Sequence, residues 1–226
     1  MKQLVYQKTG KNNISIVPNW IDAEDIVIQA KHENDLLNQL GWHNSSDVIF
    51  QFFGNIGRVQ GLDILIQAIK LMKEIDNAKF IFIGNGAYVE ELKKSINELN
   101  RKNVIYYGGL EQSKMSTGLN ACDISIVTLA EGMLGLGVPS KAYYTMAADK
   151  FIFAVMDKNS EVYGMVNDNN IGWTVEPYNV QDIANKLDEA VIQVNTKHFN
   201  SSRQVLINKY SEKLAMQKIL TIIHSV

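Results

Sequence analysis

From residue 47 to residue 175 short apolar runs alternate with amphipathic stretches, and this rhythm constrains the fold more than any other feature of the chain. Asp47-Val48-Ile49-Phe50-Gln51-Phe52-Phe53-Gly54 is apolar nearly throughout, as expected of a strand covered on both faces of a parallel sheet. Over residues 61–75, Leu62, Leu65, Ile66, Ile69 and Met72 fall on one stripe, the spacing of a helix packed on that sheet. The same reading predicts strands at 79–83, 104–107, 123–127, 151–155 and 173–175, with helices at 89–99, 113–121, 139–148 and 160–167 between them. Strands joined through helices of this length require right-handed crossovers. The expected fold class is therefore α/β, a doubly wound parallel sheet of Rossmann-like type.

The flanks are read with the same signals. Asn13-Ile14-Ser15-Ile16-Val17 reads as a short strand closed by the Pro18-Asn19 turn, residues 23–33 as a polar linker, and residues 34–40 as a helix. Three further helices end the chain. The first spans 181–194, with Ile183, Leu187, Ala190, Val191 and Val194 on one face and Asn179 as its cap. We expect a lead-in over residues 1–22 and one folded domain over 23–226.

Composition excludes several functions. A formal net charge of −2 with dispersed lysines gives no electrostatic footprint for nucleic acid. The single Cys122 sits among Leu119, Ala121, Ile124 and Ile126, which marks a buried structural thiol in a reducing compartment. His32, His43, His198 and His224 lie at no metal-ligand spacing, so no metal is expected. The start lacks the apolar core of a signal peptide and no run reaches membrane-spanning length, so the cytoplasm is expected.

Chemistry in an open parallel sheet belongs just beyond the carboxyl ends of the strands, and here those positions are rich in glycine. Gly54, Asn55, Gly57, Arg58 and Gln60 follow the first core strand, Gly84 and Gly86 the second, Gly108-Gly109-Leu110 the third, and Glu131 through Gly135, Leu136 and Gly137 the fourth. Gly135-Leu136-Gly137-Val138-Pro139-Ser140-Lys141 reads as a glycine-rich turn opening a helix. Free amides, a hydroxyl and a cation there would suit phosphate. A tight strand-to-helix connection without a ligand is the alternative. The first loop has neither the third glycine nor the acidic residue of a dinucleotide fingerprint, no Walker A lysine is present, and no Gly-x-Ser-x-Gly elbow occurs. Arg58 could pair with phosphate or with solvent, and Glu161 suits a helix start more than a catalytic role.

Several of these segments together resemble a known family. Ile14-Ser15-Ile16-Val17-Pro18-Asn19-Trp20-Ile21-Asp22, Phe52-Phe53-Gly54-Asn55-Ile56-Gly57 with Gln60-Gly61-Leu62-Asp63, Gly84-Asn85-Gly86, and Val138-Pro139-Ser140-Lys141-Ala142-Tyr143 with Met146-Ala147 stand in order. Over about residues 13–177 the chain is similar to the carboxy-terminal half of the group 1 (family 4) glycosyltransferases, nearest to the amino-sugar transferase branch of capsule and O-antigen synthesis.

The resemblance implies one half of a GT-B architecture, in which this domain holds a nucleotide-diphosphate sugar, with UDP ahead of GDP. It implies transfer with retention, no cofactor and no obligate metal. The amino-terminal acceptor domain, with the catalytic histidine or acid, would lie outside this chain or in a separate subunit, so no catalytic residue is assigned. The full enzyme would meet the membrane peripherally through its acceptor. By matching position, Gly54, Asn55, Gly57, Arg58 and Gln60 would face the diphosphate, and Gly84, Gly86 and Leu110 would lie near base and ribose. Gly135, Leu136, Gly137, Val138, Ser140 and Lys141 would cradle phosphates and sugar. Asn55 and Gln60 stand where many relatives carry arginine and lysine. Leu136 and Tyr144 stand where many carry two glutamates, while Glu131 lies earlier in the loop; the Val-Pro-Ser-Lys branch generally lacks that pair. Two other functions stay open at this point: a non-catalytic nucleotide-sugar-binding or scaffold subunit, and, less favoured, an isomerase of the same architecture.

Overall fold

The structure is a computed structural model that describes residues 2–137 and 139–224. Six parallel strands form one sheet: β1 (Val48–Phe53), β2 (Ala78–Ile83), β3 (Val104–Gly108), β4 (Ile124–Thr128), β5 (Phe151–Val155) and β6 (Gly172–Val175). Their order is β3-β2-β1-β4-β5-β6, so the winding reverses between β1 and β4. The strands form where expected because each supplies apolar side chains to both faces. In β1, Phe50 and Phe52 point to one core and Ile49 to the other, and all three are fully buried.

Helices α3 (Leu62–Leu71), α4 (Val89–Leu99) and α8 (Val180–Gln193) cover the first face, where Phe50 stacks on Phe80 at 4.8 Å. Short helices α2 (Asp35–Gln39) and α5 (Met115–Leu119), with α6 (Lys141–Ala147), α7 (Glu161–Asn169) and α9 (Ser202–Lys209), cover the second. Polar side chains fix the ends of these elements. Asn179 accepts from the amides of Gln181 (2.8 Å) and Asp182 (3.3 Å) at the start of α8, and Asn34 caps α2 at Leu36 and Leu37. The Asp188 carboxylate of α8 accepts from the Lys73 and Glu74 amides and so ties α8 to the chain beyond α3.

Three features depart from the sequence reading. No strand forms over residues 13–22, which take no part in the sheet. An N-terminal helix α1 (Lys2–Thr9), which the apolar pattern does not announce, precedes them. Residues 23–33 are a packed strap and not a linker. Ile26 is buried, the Arg203 guanidinium donates to its carbonyl (3.0 Å), and the Asn120 carboxamide bonds the backbone of Val27 and Gln29. A final helix, α10 (Glu212–His224), buries only Ala215.

Candidate functional site

The reversal between β1 and β4 leaves a crevice beyond their carboxyl ends, because their following connections leave to opposite faces. A cleft of about 560 Å³ occupies that place. One wall is the loop after β1, with Gly54, Asn55, Val59 and Gln60. The other is the loop after β4, with Met133, Leu136, Gly137 and Pro139, followed by Ser140, Lys141 and Tyr144 at the start of α6. Met115 and Leu119 of α5 close it with an apolar side, and the buried Thr145 hydroxyl, paired with Ser125 at 3.0 Å, lies at its base.

Lys141 dominates the electrostatics. Its stem crosses from α6 to the β1 loop, so close to Gly54 that a Cβ there would lie 2.8 Å from Lys141 Cε. Its ammonium sits 3.7 Å from the centre of the Phe52 ring and donates to Gln60 Oε1 at 2.6 Å. Both partners are neutral, and none of the ion pairs among the described residues involves Lys141. Burial without a counter-charge pulls its pKa down to about 7. An anion entering the cleft would supply the missing partner. The ammonium, more than the terminus of the seven-residue α6, is the positive feature here. Ser140 is itself helical in backbone angle and makes no side-chain cap, unlike the N-terminal cap its position suggests.

The structure brings Gly54, Asn55, Gln60, Leu136, Gly137, Ser140, Lys141 and Tyr144 into one cleft. Other sequence candidates point elsewhere. Arg58 is exposed and pairs with Glu91 at 3.0 Å. Glu131 and Gly135 line a smaller depression of about 60 Å³ behind the β4 loop, shared with Asp157, Glu161 and Tyr178. Leu110 packs over Gly118 beside Phe53. Gly57 follows the Asn55 side chain without lining the cleft. Val138 lies outside the described residues.

Gly84 and Gly86 serve the wall and do not line the cleft. At φ +144 and +157, a Cβ on either would fall 1.8 Å from the Gly54 carbonyl oxygen or 2.1 Å from that of Ile56. The β2 loop thus presses on the β1 loop, and bonds from the Gly54 amide to Ile83 (2.9 Å) and from the Ile56 amide to Asn85 (2.8 Å) lock the two. Met115 and Leu119 of α5 are cleft residues that sequence reasoning missed, since an apolar side chain at helical spacing looks like ordinary core. Glu161, at the first position of α7, accepts from the buried Tyr143 hydroxyl at 2.9 Å. Among the described residues no group of three or more His, Cys, Asp or Glu side chains could hold a metal, and no helix is long and apolar enough to cross a membrane.

Comparison with known proteins places this geometry. Residues 14–206 match the family described as glycosyl transferases group 1. The probable glycosyltransferase WbjE of Pseudomonas aeruginosa is 36% identical over 220 residues, covering 96% of this chain and 54% of that protein. Anabaena Alr3699/HepE, crystallised in complex with UDP, superposes over 100% of this chain and 61% of its own with a TM-score of 0.82 at 17% identity. The crystallised C-terminal domain of the group 1 glycosyl transferase LpcC of Francisella tularensis is covered over 99% of its length by 85% of this chain, with a TM-score of 0.65 at 21% identity. At such identities the solved structures speak to fold. The chain spans about half the length of the curated relatives it matches.

Proposed function

Because the chain belongs to the group 1 glycosyl transferases, we propose that its switch-point cleft holds the diphosphate of a nucleotide-diphosphate sugar, with UDP as the nucleotide. The observation that carries this reading is Lys141: a half-buried ammonium with no carboxylate, aimed between the two loops of the cleft. On this reading the chain is the donor half of a cytoplasmic transferase of surface-polysaccharide synthesis, and an amino-terminal acceptor half supplies the catalytic acid or histidine. Transfer proceeds with retention and requires no metal. The UDP bound by the Anabaena protein supports the choice of nucleotide.

The chemistry asked of these residues is electrostatic. As the bond from the anomeric carbon to the diphosphate breaks, negative charge gathers on the departing phosphate oxygens, and the Lys141 ammonium stabilises that charge. Gln60 holds the ammonium at 2.6 Å, and the Phe52 ring beneath it offers no competing anion. Met115 and Leu119 give the cleft an apolar side, which lowers the dielectric around the contact. The β1 and β2 loops hold this geometry through their backbone bonds.

A thermal-shift panel of UDP, GDP, ADP and their sugars tests the reading. At a hundred times its dissociation constant a ligand stabilises by about 2.7 kcal/mol, which at this chain length raises Tm by roughly 5–10 °C. UDP and UDP-sugars should give that rise. A folded sample that responds to no nucleotide overturns the proposal, and a response to GDP alone overturns the choice of base.

A further inference from the structure

On the other side of Ser140 and Tyr144 from the cleft lies a second chamber of about 270 Å³, lined by Asn19, Trp20, Ile21, Ser140, Tyr143 and Tyr144. Ser140 and Tyr144 belong to both spaces, so a ligand held by Lys141 is one helical turn away. None of the six lining residues is charged, which makes the chamber unsuited to phosphate.

The side chains of Asn19, Trp20, Ser140 and Tyr144 in this lining are unengaged among the described residues, and the other tryptophans show how unusual that is for Trp20. Trp173 is buried between Phe151 and Phe199 and donates its indole N–H to Gln193. Trp42 is buried beneath the Lys79 ammonium at 5.7 Å. Trp20 is 37% exposed and, among the described residues, has neither a ring partner nor an acceptor for its indole N–H. The Asn19 carboxamide, the Ser140 hydroxyl and the Tyr144 hydroxyl likewise make no side-chain hydrogen bond among the described residues. Tyr143, whose hydroxyl is committed to Glu161 and whose ring packs on Tyr210 at 5.7 Å, is a rigid floor beneath them.

We propose that this chamber is a binding site for one neutral pyranose ring. An aromatic face with a surrounding set of free donors and acceptors matches a sugar, which presents C–H groups on one face and hydroxyls around its edge. The absence of charge selects a neutral ring over a uronic acid or a phosphosugar. The ring belongs to the donor or to the acceptor, and the experiment separates the two. Only the link to the main cleft rests on the nucleotide-sugar reading; the sugar chemistry of the chamber stands on its own lining.

The test measures binding of UDP, UDP-glucose, UDP-N-acetylglucosamine and simple methyl glycosides to the 226-residue chain, to Trp20→Ala and to Trp20→Phe, by calorimetry and by quenching of tryptophan emission. Because Trp42 and Trp173 are buried, a sugar that shields Trp20 should protect the accessible emission from acrylamide. Trp20→Ala should weaken the sugar-bearing ligand about tenfold, the combined worth of a stacked face and one hydrogen bond, while UDP affinity stays within about twofold. Trp20→Phe should restore most of the loss, since it keeps the ring. A loss on UDP-sugars assigns the donor's sugar; a loss on methyl glycosides with UDP present assigns the acceptor's. Equal sugar affinity in wild type and Trp20→Ala overturns the chamber, as does a loss shared equally by UDP. Failure of every nucleotide to bind overturns the donor reading instead, and the glycoside titration without nucleotide still decides the chamber.

Discussion

Lys141 carries two opposed consequences of its position. As a half-buried ammonium without a counter-charge it costs stability, and as a cation waiting for an anion it confers affinity. Lys141→Ala should weaken UDP binding by about 1.5–3 kcal/mol, roughly 10- to 150-fold, because it removes a charge-assisted contact. Unchanged affinity by calorimetry would move the phosphate site elsewhere. The pH dependence has a definite sign. The free ammonium titrates at about 7, and a bound diphosphate raises that value, so the complex takes up protons. Affinity for a UDP-sugar, whose own diphosphate does not titrate near neutrality, is therefore full below pH 7. It declines above it, by about tenfold per pH unit at most. Stability runs the other way. A lysine whose folded pKa lies below its unfolded value penalises the fold most below pH 7, and the penalty is relieved between pH 7 and about 10.4. Lys141→Met should thus raise Tm by roughly 2–8 °C at pH 6 while abolishing tight nucleotide binding, with the gain shrinking toward pH 10. A variant no more stable than wild type at pH 6 contradicts the charge-burial account.

At the scale of elements, the sheet was legible because a parallel strand buried on two faces leaves a nearly continuous apolar run. Residues 47–54 announce β1 for that reason, and Asn179 announces a helix start by capping chemistry that is local to the chain. What depends on a distant partner was not legible. Residues 14–17 have strand composition, yet nothing in the sequence reports that they take no part in the sheet. The strap at 23–33 looks polar because its anchors, Asn120 and Arg203, are far along the chain. Arg58 reads as a loop cation until the fold brings Glu91 to it. Gly84 is visible as a glycine, whereas the carbonyl of Gly54 that forbids a side chain there is not. That contact gives a prediction for the pair of loops. Gly84→Ala should cost about 2–4 kcal/mol, from positive φ and overpacking together, and should also weaken UDP binding by displacing Gly54 and Asn55. The urea midpoint measures the first effect. A midpoint equal to wild type would mean that the β2 loop does not brace the cleft.

The whole molecule is unevenly finished: the sheet is covered on both faces, whereas α10 lays little of its apolar surface on it. Met216, Leu220 and Ile223 share one side of the helix and are exposed, the last two at 53% and 61%, and Ala215 is the only residue of the helix that is buried. Surface of this kind on one helix is a contact face in search of a cover. On the proposed reading the cover is the acceptor half, consistent with a chain that spans about half of its relatives. Studied by itself, the chain should therefore associate with itself as concentration rises, which static light scattering reads as an increase in mean mass. Leu220→Glu together with Ile223→Glu should return it to the monomer. Because both side chains already face water, the double change should move stability by no more than about 1 kcal/mol, so loss of association could not be blamed on unfolding. A constant monomer mass for the unsubstituted chain across the concentration series would show that α10 covers itself well enough, and the apolar face would need another explanation.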